Sequence, residues 1–183
     1  MDIVGLCGSL RKRSYNLHAL HAAAEVMPPP MKLRVVGFED VPLFNQDVLD
    51  VAVPVSVLHV GAEIAKADGV LIASPEYNFS ITGVLKNLVD WLSRHPQLPF
   101  KNKPVALLSA TGGPLGGSRN QYELRKILGG MEALVLLRPE VFISMNMNRF
   151  DETGRLTDEQ TRSILQSQMV AFEAWIKRMG SKG

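Results

Sequence analysis

Five times along this chain a short apolar run gives way to helical periodicity, and that alternation limits the fold more than any single residue does. Residues 3–7 are apolar and end at Gly8-Ser9, as a buried strand followed by a turn does. Ser14 is placed to cap a helix in which Leu17, Leu20 and Ala24 recur at helical spacing and which Pro28, Pro29 and Pro30 stop. Residues 33–38 read as a second strand, and Glu39-Asp40 open an irregular surface stretch through Pro42 and Asn45. Helical period returns over 55–67, and a third strand at 70–73 is cut off by Ser74-Pro75.

The second half repeats the pattern. Val84, Leu85, Leu88, Val89 and Leu92 draw one apolar stripe over 83–94, with Lys86, Asn87, Asp90 and Ser93 turned away and Trp91 off the stripe. Residues 103–110 read as a fourth strand, 111–118 as a glycine-rich loop and 119–128 as a helix. Residues 133–137 with 141–143 supply a fifth strand. Thr157 to Gln160 matches a capping box, opening a last helix with Leu165, Met169, Phe172, Ile176 and Met179 on one face. Such alternation predicts a parallel sheet covered by helices on both faces, and 183 residues make one domain, 1–183, the expectation. In an open sheet of this kind ligands bind beyond the carboxyl ends of the strands, where the winding reverses. Three loops lie there: 8–16, 74–83 and 109–117.

Composition narrows the partners. The 20 basic and 18 acidic side chains nearly cancel, which predicts no nucleic-acid surface. The first residues lack the basic and apolar regions of a signal peptide, and no apolar run reaches bilayer length, so neither secretion nor a membrane span is expected. A lone cysteine, Cys7, closes no internal disulfide, and a reducing cytoplasm is the expected setting. Cys7 falls within the first strand and reads as a buried structural thiol. His18, His21 and Glu25 have a spacing that metals use, but they read as an exposed polar helix face, and no metal is expected.

Loop 8–16 joins a strand exit, hydroxyls at Ser9 and Ser14, the cations Arg11, Lys12 and Arg13, and a helix N-terminus. All of these attract an anion, although its glycine spacing is not that of a P-loop. The alternative is a solvated basic turn with Ser14 as a simple cap. Loop 74–83 offers aromatic and amide groups that suit a planar heterocycle, or else a turn in which Pro75 and Asn78 set the backbone while Tyr77 and Phe79 pack. Loop 109–117 carries glycines that permit close backbone approach to a ligand.

The strings GSLRKRSYN at 8–16 and SPEYNFSITGVLKNLVDWLSR at 74–94 resemble the two signatures of the NADPH-dependent FMN reductase family, and GGSRNQYELRKIL resembles its quinone and chromate reductase branch. The resemblance implies a flavodoxin-like three-layer α/β sandwich, a five-stranded parallel sheet in the order 2-1-3-4-5, and bound FMN. It implies that Ser9, Arg11, Ser14 and Asn16 hold the FMN phosphate, with Leu10 and Tyr15 in the same turn. Pro75, Glu76, Tyr77, Asn78 and Phe79 would border the isoalloxazine, and Thr111 with Gly112 would close its other side. Arg13 departs from the glycine frequent in the family. The implied activity is hydride transfer from NADPH or NADH to FMN, then two electrons to a quinone, chromate or azo dye by a ping-pong route, with no catalytic side chain required. A homodimer or homotetramer is implied as well. The alternatives are a reductase that releases reduced FMN to a partner and a flavodoxin-type electron carrier, the latter disfavoured by the slightly basic charge. No motif separates NADPH from NADH.

Overall fold

The computed structural model describes residues 1–180. Its elements run β1 (Asp2–Cys7), α1 (Tyr15–Val26), β2 (Lys32–Val35), α2 (Gln46–Val51), α3 (Val55–Lys66), β3 (Gly69–Ala73), α4 (Gly83–Leu92), β4 (Pro104–Ala110), α5 (Ser118–Gly130), β5 (Leu134–Val135), β6 (Val141–Ile143) and α6 (Glu159–Gly180). The sheet is parallel, in the order β2-β1-β3-β4-β5, with β6 also pairing β4. This is the flavodoxin-like order that the resemblance implies.

Side chains alternate faces along a strand, so each strand feeds two cores. Ile3 and Cys7 of β1, Leu71 of β3 and Leu108 of β4 pack under α1 and α6 with Leu20, Met169 and Phe172. Val4, Leu6, Val70 and Leu107 pack under α3, α4 and α5 with Ile64, Leu88 and Leu124. Burial on both faces is why the strands read as continuous apolar runs.

Several details depart from the sequence expectations. The fifth strand comes in two pieces: β5 pairs with Pro104 and Val105, and β6 with Leu108 to Ala110. Between them Arg138-Pro139 is a cis peptide, and side chains take the carbonyls that the ladder leaves. Gln168 Nε2 donates to Leu107 O and Pro139 O at 2.9 Å each, and an Arg125 guanidinium nitrogen to Leu136 O at 2.9 Å. The second strand ends at Val35 rather than 38. The stretch read as irregular holds α2, capped by Asn45 Oδ1, which accepts from Asp47 N at 2.9 Å. In α1 the buried residues are Asn16, Ala19, Leu20, Ala22 and Ala23, and Ala24 is exposed. Asp158 caps α6 in place of Thr157, its carboxylate accepting from Thr161 N at 2.9 Å while Thr157 Oγ1 donates to Arg149 O.

Trp91 and Asn87 are the larger corrections. Trp91 is fully buried within the chain, its Nε1 donating to Pro42 O at 2.8 Å and its ring 4.9 Å from that of Phe44. Asn87 also faces this loop, donating to Pro42 O and accepting from Phe44 N. The two residues pin 42–44 onto α4, so Asn87, read as turned away, and Trp91, read as off the apolar stripe, both serve packing within the chain. Among the described residues no helix is long and apolar enough to cross a membrane.

Candidate functional site

The loops after β1, β3 and β4 meet at one edge of the sheet because hydrogen bonds sew them together. Thr82 Oγ1 donates to Gly8 O at 2.7 Å and accepts from Leu85 N, so one hydroxyl caps α4 and ties the second loop to the first. Gly8 leaves no room for a side chain, since a Cβ there would lie 2.4 Å from Ser74 Oγ. Asn16 joins the first loop to the third: its Nδ2 donates to Ala110 O and its Oδ1 accepts from Ala110 N.

The first loop is prepared for an anion. Ser14 Oγ caps α1 by accepting from Asn16 N at 3.2 Å, and Ser9 Oγ accepts from Arg11 N. Arg11 and Lys12 are exposed, and neither side chain has a partner among the described residues. Arg13 points elsewhere, donating to Glu152 O at 2.8 Å, so the residue that departs from the family pattern ties the loop to the segment after β6. The Cys7 thiol is buried below the loop. Burial pushes its pKa up, against weaker opposing hydrogen bonds with Ser9 and Ser14, which fits a structural thiol.

The second loop makes a two-residue reverse turn, with Tyr77 N donating to Ser80 O and Ser80 N to Tyr77 O. Its central residues Asn78 and Phe79 both have positive φ, +50° and +67°. That conformation is uncommon for asparagine and strained for phenylalanine. The Phe79 ring is held outside the core by Arg119, whose guanidinium lies 4.3 Å from the ring centroid. Glu76 crosses to α5, where no side chain of Gly117 caps the helix. Its carboxylate accepts from Arg119 N at 3.1 Å and Asn120 N at 3.4 Å, and pairs with the Arg119 guanidinium at 3.0 Å.

These loops enclose a cleft of about 200 Å³ bordered by Ser9, Arg11, Ser14, Tyr15, Asn16, Pro75, Glu76, Tyr77, Thr111 and Gly112, all of them residues singled out from the sequence. Ala110 and Asn146 border it too and were not anticipated. Asn146 follows β6 at the same carboxyl edge, and its N donates to Thr111 O at 3.1 Å, a position the strand-end rule marks when the loop after residues 141–143 is considered with the other three. An adjoining cleft of about 330 Å³ shares Glu76 and Thr111 and adds Phe79, Gly113, Pro114, Leu115 and Arg119. Leu10 lies instead at a groove on the far side of the first loop, and Asn78 borders neither cleft. The geometry thus joins an anion-ready turn to a cleft with aromatic side chains, Tyr15, Tyr77 and Phe79, along its border.

The NADPH-dependent FMN reductase family matches residues 1–148. This chain belongs to that family. An NAD(P)H-dependent FMN reductase of Pseudomonas aeruginosa is 42% identical over 179 residues, covering 98% of this chain and 97% of the relative. A quinone reductase of Escherichia coli is 38% identical, covering 98% and 97%. FerB of Paracoccus denitrificans, a flavoenzyme NAD(P)H:acceptor oxidoreductase, superposes with a TM-score of 0.88 at 31% identity, covering 97% of this chain and 98% of FerB. Reductases of this family work with FMN and NAD(P)H, and the three loops lie at the carboxyl edge of the parallel sheet, where open α/β sheets bind ligands.

Proposed function

We propose that this chain is an FMN-dependent NAD(P)H:quinone oxidoreductase in which one domain, 1–183, carries the flavin site. The observation behind this reading is the continuity of the unpaired Arg11 turn with the slot between Tyr77 and Thr111. The donor set fits FMN: a guanidinium, two serine hydroxyls and a helix N-terminus suit a phosphate, and one Nδ2 hydrogen of Asn16 stays available after its bond to Ala110. The floor fits as well, since a Cβ built on Gly112 or Gly113 meets nothing within 4 Å. Ser9, Arg11, Ser14 and Asn16 hold the phosphate in this reading, with Tyr15 beside it. Pro75, Glu76, Tyr77 and Phe79 border the ring from one side, Thr111 and Gly112 from the other, and Asn78 acts through the turn it shapes.

The chemistry that bound FMN supplies is hydride acceptance from a nicotinamide and two-electron delivery to an acceptor. The protein's part is to position and exclude. Glu76, the carboxylate bordering the cleft, is engaged by the start of α5 and by Arg119, which keeps it fixed as a wall. Phe79, Pro114 and Leu115 make the adjoining cleft apolar enough for a flat ring. That cleft takes nicotinamide and quinone in turn, so turnover is ping-pong. The quinone reductases of E. coli and Pseudomonas putida among the relatives support this acceptor class. Initial-rate lines at several fixed quinone concentrations should run parallel, and lines that intersect without substrate inhibition would refute the shared cleft.

The working unit in this reading is a homodimer, or two dimers as a tetramer. Leu43, Val51 and Val55 are 84%, 88% and 82% exposed, with Val48 and Leu58 also exposed in the same stretch of chain, and a second copy of the chain would take these apolar side chains out of water.

A further inference from the structure

We propose that the groove on the far side of the first loop seats the adenosine diphosphate half of NAD(P)H, and that Glu39 sets the balance between NADH and NADPH. This rests on the reductase reading above and adds a second subsite to it. The groove lies at the carboxyl ends of β1 and β2 and has a volume of about 330 Å³. Leu10, Leu17, Val35 and Phe38 make its lining mainly apolar, and Leu10 and Val35 remain 51% and 38% exposed. An open apolar slot of this kind accepts a planar base.

The charges around it are unpaired. Arg11 and Lys12 border the groove, as does Glu39, and none of these side chains has a partner among the described residues. The Glu39 carboxylate folds back over Gly37, where a Cβ would lie 2.5 Å from Oε2. Cations and a carboxylate that share a groove without engaging one another complement a ligand with anionic oxygens at one place and hydroxyl donors at another. A pyrophosphate joined to a ribose has that layout. Arg11, at the wall shared with the cofactor cleft, is engaged by the FMN phosphate in the loaded protein, so Lys12 is the cation the groove keeps for the pyrophosphate, and the adenosine lies beyond it.

The reach is adequate. β1 and β3 separate β2 from β4, and three strand spacings amount to about 14 Å, which an extended dinucleotide crosses from the nicotinamide slot. A free carboxylate beside the ribose accepts from its hydroxyls and repels a 2'-phosphate. Removing the Glu39 charge therefore favours NADPH.

The test uses FMN-loaded protein and ADP-ribose as the probe, followed by calorimetry. Wild type should bind ADP-ribose, and Val35→Trp, which fills the groove, should weaken that binding about tenfold or more and raise the KM for NADH with kcat and the quinone KM unchanged. Glu39→Gln, an exposed conservative change, should raise the ratio of kcat/KM for NADPH over NADH several-fold, which keeps the test open if Val35→Trp misfolds. ADP-ribose that does not bind, or binds both proteins alike while quinone reduction still runs, overturns the groove assignment. ADP-ribose that binds and is lost in Val35→Trp, in a protein that oxidises neither nucleotide, supports the groove and overturns the reductase reading instead.

Discussion

Asn16 and Ala110 hold each other twice: Asn16 Nδ2 donates to Ala110 O, and Ala110 N donates to Asn16 Oδ1, each at 2.9 Å. The pair is buried and joins the first turn of α1 to the last residue of β4 across 94 positions. Asn16→Ala leaves both backbone groups of Ala110 unsatisfied, at a cost of about 2–4 kcal/mol. Urea denaturation of the flavin-free protein should show that loss. A loss under about 1 kcal/mol would mean that water or a neighbour replaces the amide.

Arg11→Ala is expected to act on the ligand and not on the fold, because its guanidinium supports nothing else in the chain. Affinity for FMN should fall by about 1.5–3 kcal/mol, the worth of a hydrogen bond to a charged group. Affinity for riboflavin should stay the same. Equal affinity of the wild-type protein for FMN and riboflavin would remove the phosphate assignment altogether.

Much of this site is visible in the sequence because its local signals are strong. A strand exit, a serine cap and a cation run mark 8–16, and strand-end position marks the other two loops. What escaped is held by contacts between distant residues. Nothing near Glu76 announces that it caps α5 some 43 positions away, nor near Trp91 that Pro42 accepts from its indole. Asn146 escaped because 141–143 reads as the end of a single fifth strand, and only the loops after β1, β3 and β4 are marked as ligand-facing by the strand-end argument. The Thr157 capping pattern slipped by one residue because Asp158 offers a carboxylate to the same N–H groups, and a charged cap competes well with a hydroxyl.

Phe79 at φ +67° bears strain that a glycine would not. Phe79→Gly loses a partly exposed cation–π contact of about 0.5–1 kcal/mol and recovers about 1–2 kcal/mol of left-handed strain, so thermal stability should hold or rise slightly. Phe79→Val keeps the strain, adds β-branching at a positive φ, and should be less stable than either. In the proposed function Phe79→Gly also lowers kcat/KM for quinone by opening the apolar wall. Equal stability of the Gly and Val variants would show that the turn relaxes in solution.

His95 should make the fold acid-sensitive. Its ring is nearly wholly buried against α3, so close that a Cβ on Gly61 would lie 2.4 Å from it, and Nδ1 accepts from Gln97 N at 3.1 Å. Burial pushes its pKa below the ordinary 6.5. The neutral ring is thus favoured in the native state, and the unfolded chain binds the proton more readily. The stabilisation is fully present above about pH 6.5 and is lost as pH falls through the lower native pKa. His18 is shifted the same way by burial and by His21, Arg13 and Arg11, and adds to the trend. Urea midpoints at pH 7.5 and 5 should differ less in His95→Asn, whose Oδ1 still accepts from Gln97 N, than in wild type. An unchanged difference would place the acid sensitivity elsewhere.

The proposed dimer makes the last prediction. Val51 ends α2 and Val55 begins α3, and both stand almost fully in solvent while the loop before them is fastened to α4 through Pro42, Phe44 and Trp91. A rigid segment that displays apolar side chains is suited to burial against a second copy, and each valine so buried contributes about 1.5–3 kcal/mol. Val51→Glu with Val55→Glu places like charges across a two-fold contact and should yield monomers in light scattering over a dilution series. The fold should survive, because neither side chain supports the core. If the double variant elutes and scatters as wild type does, the assembly uses another face. If wild type is already a monomer with full flavin content and full turnover, the cleft is complete within one chain and the dimer is not needed for function.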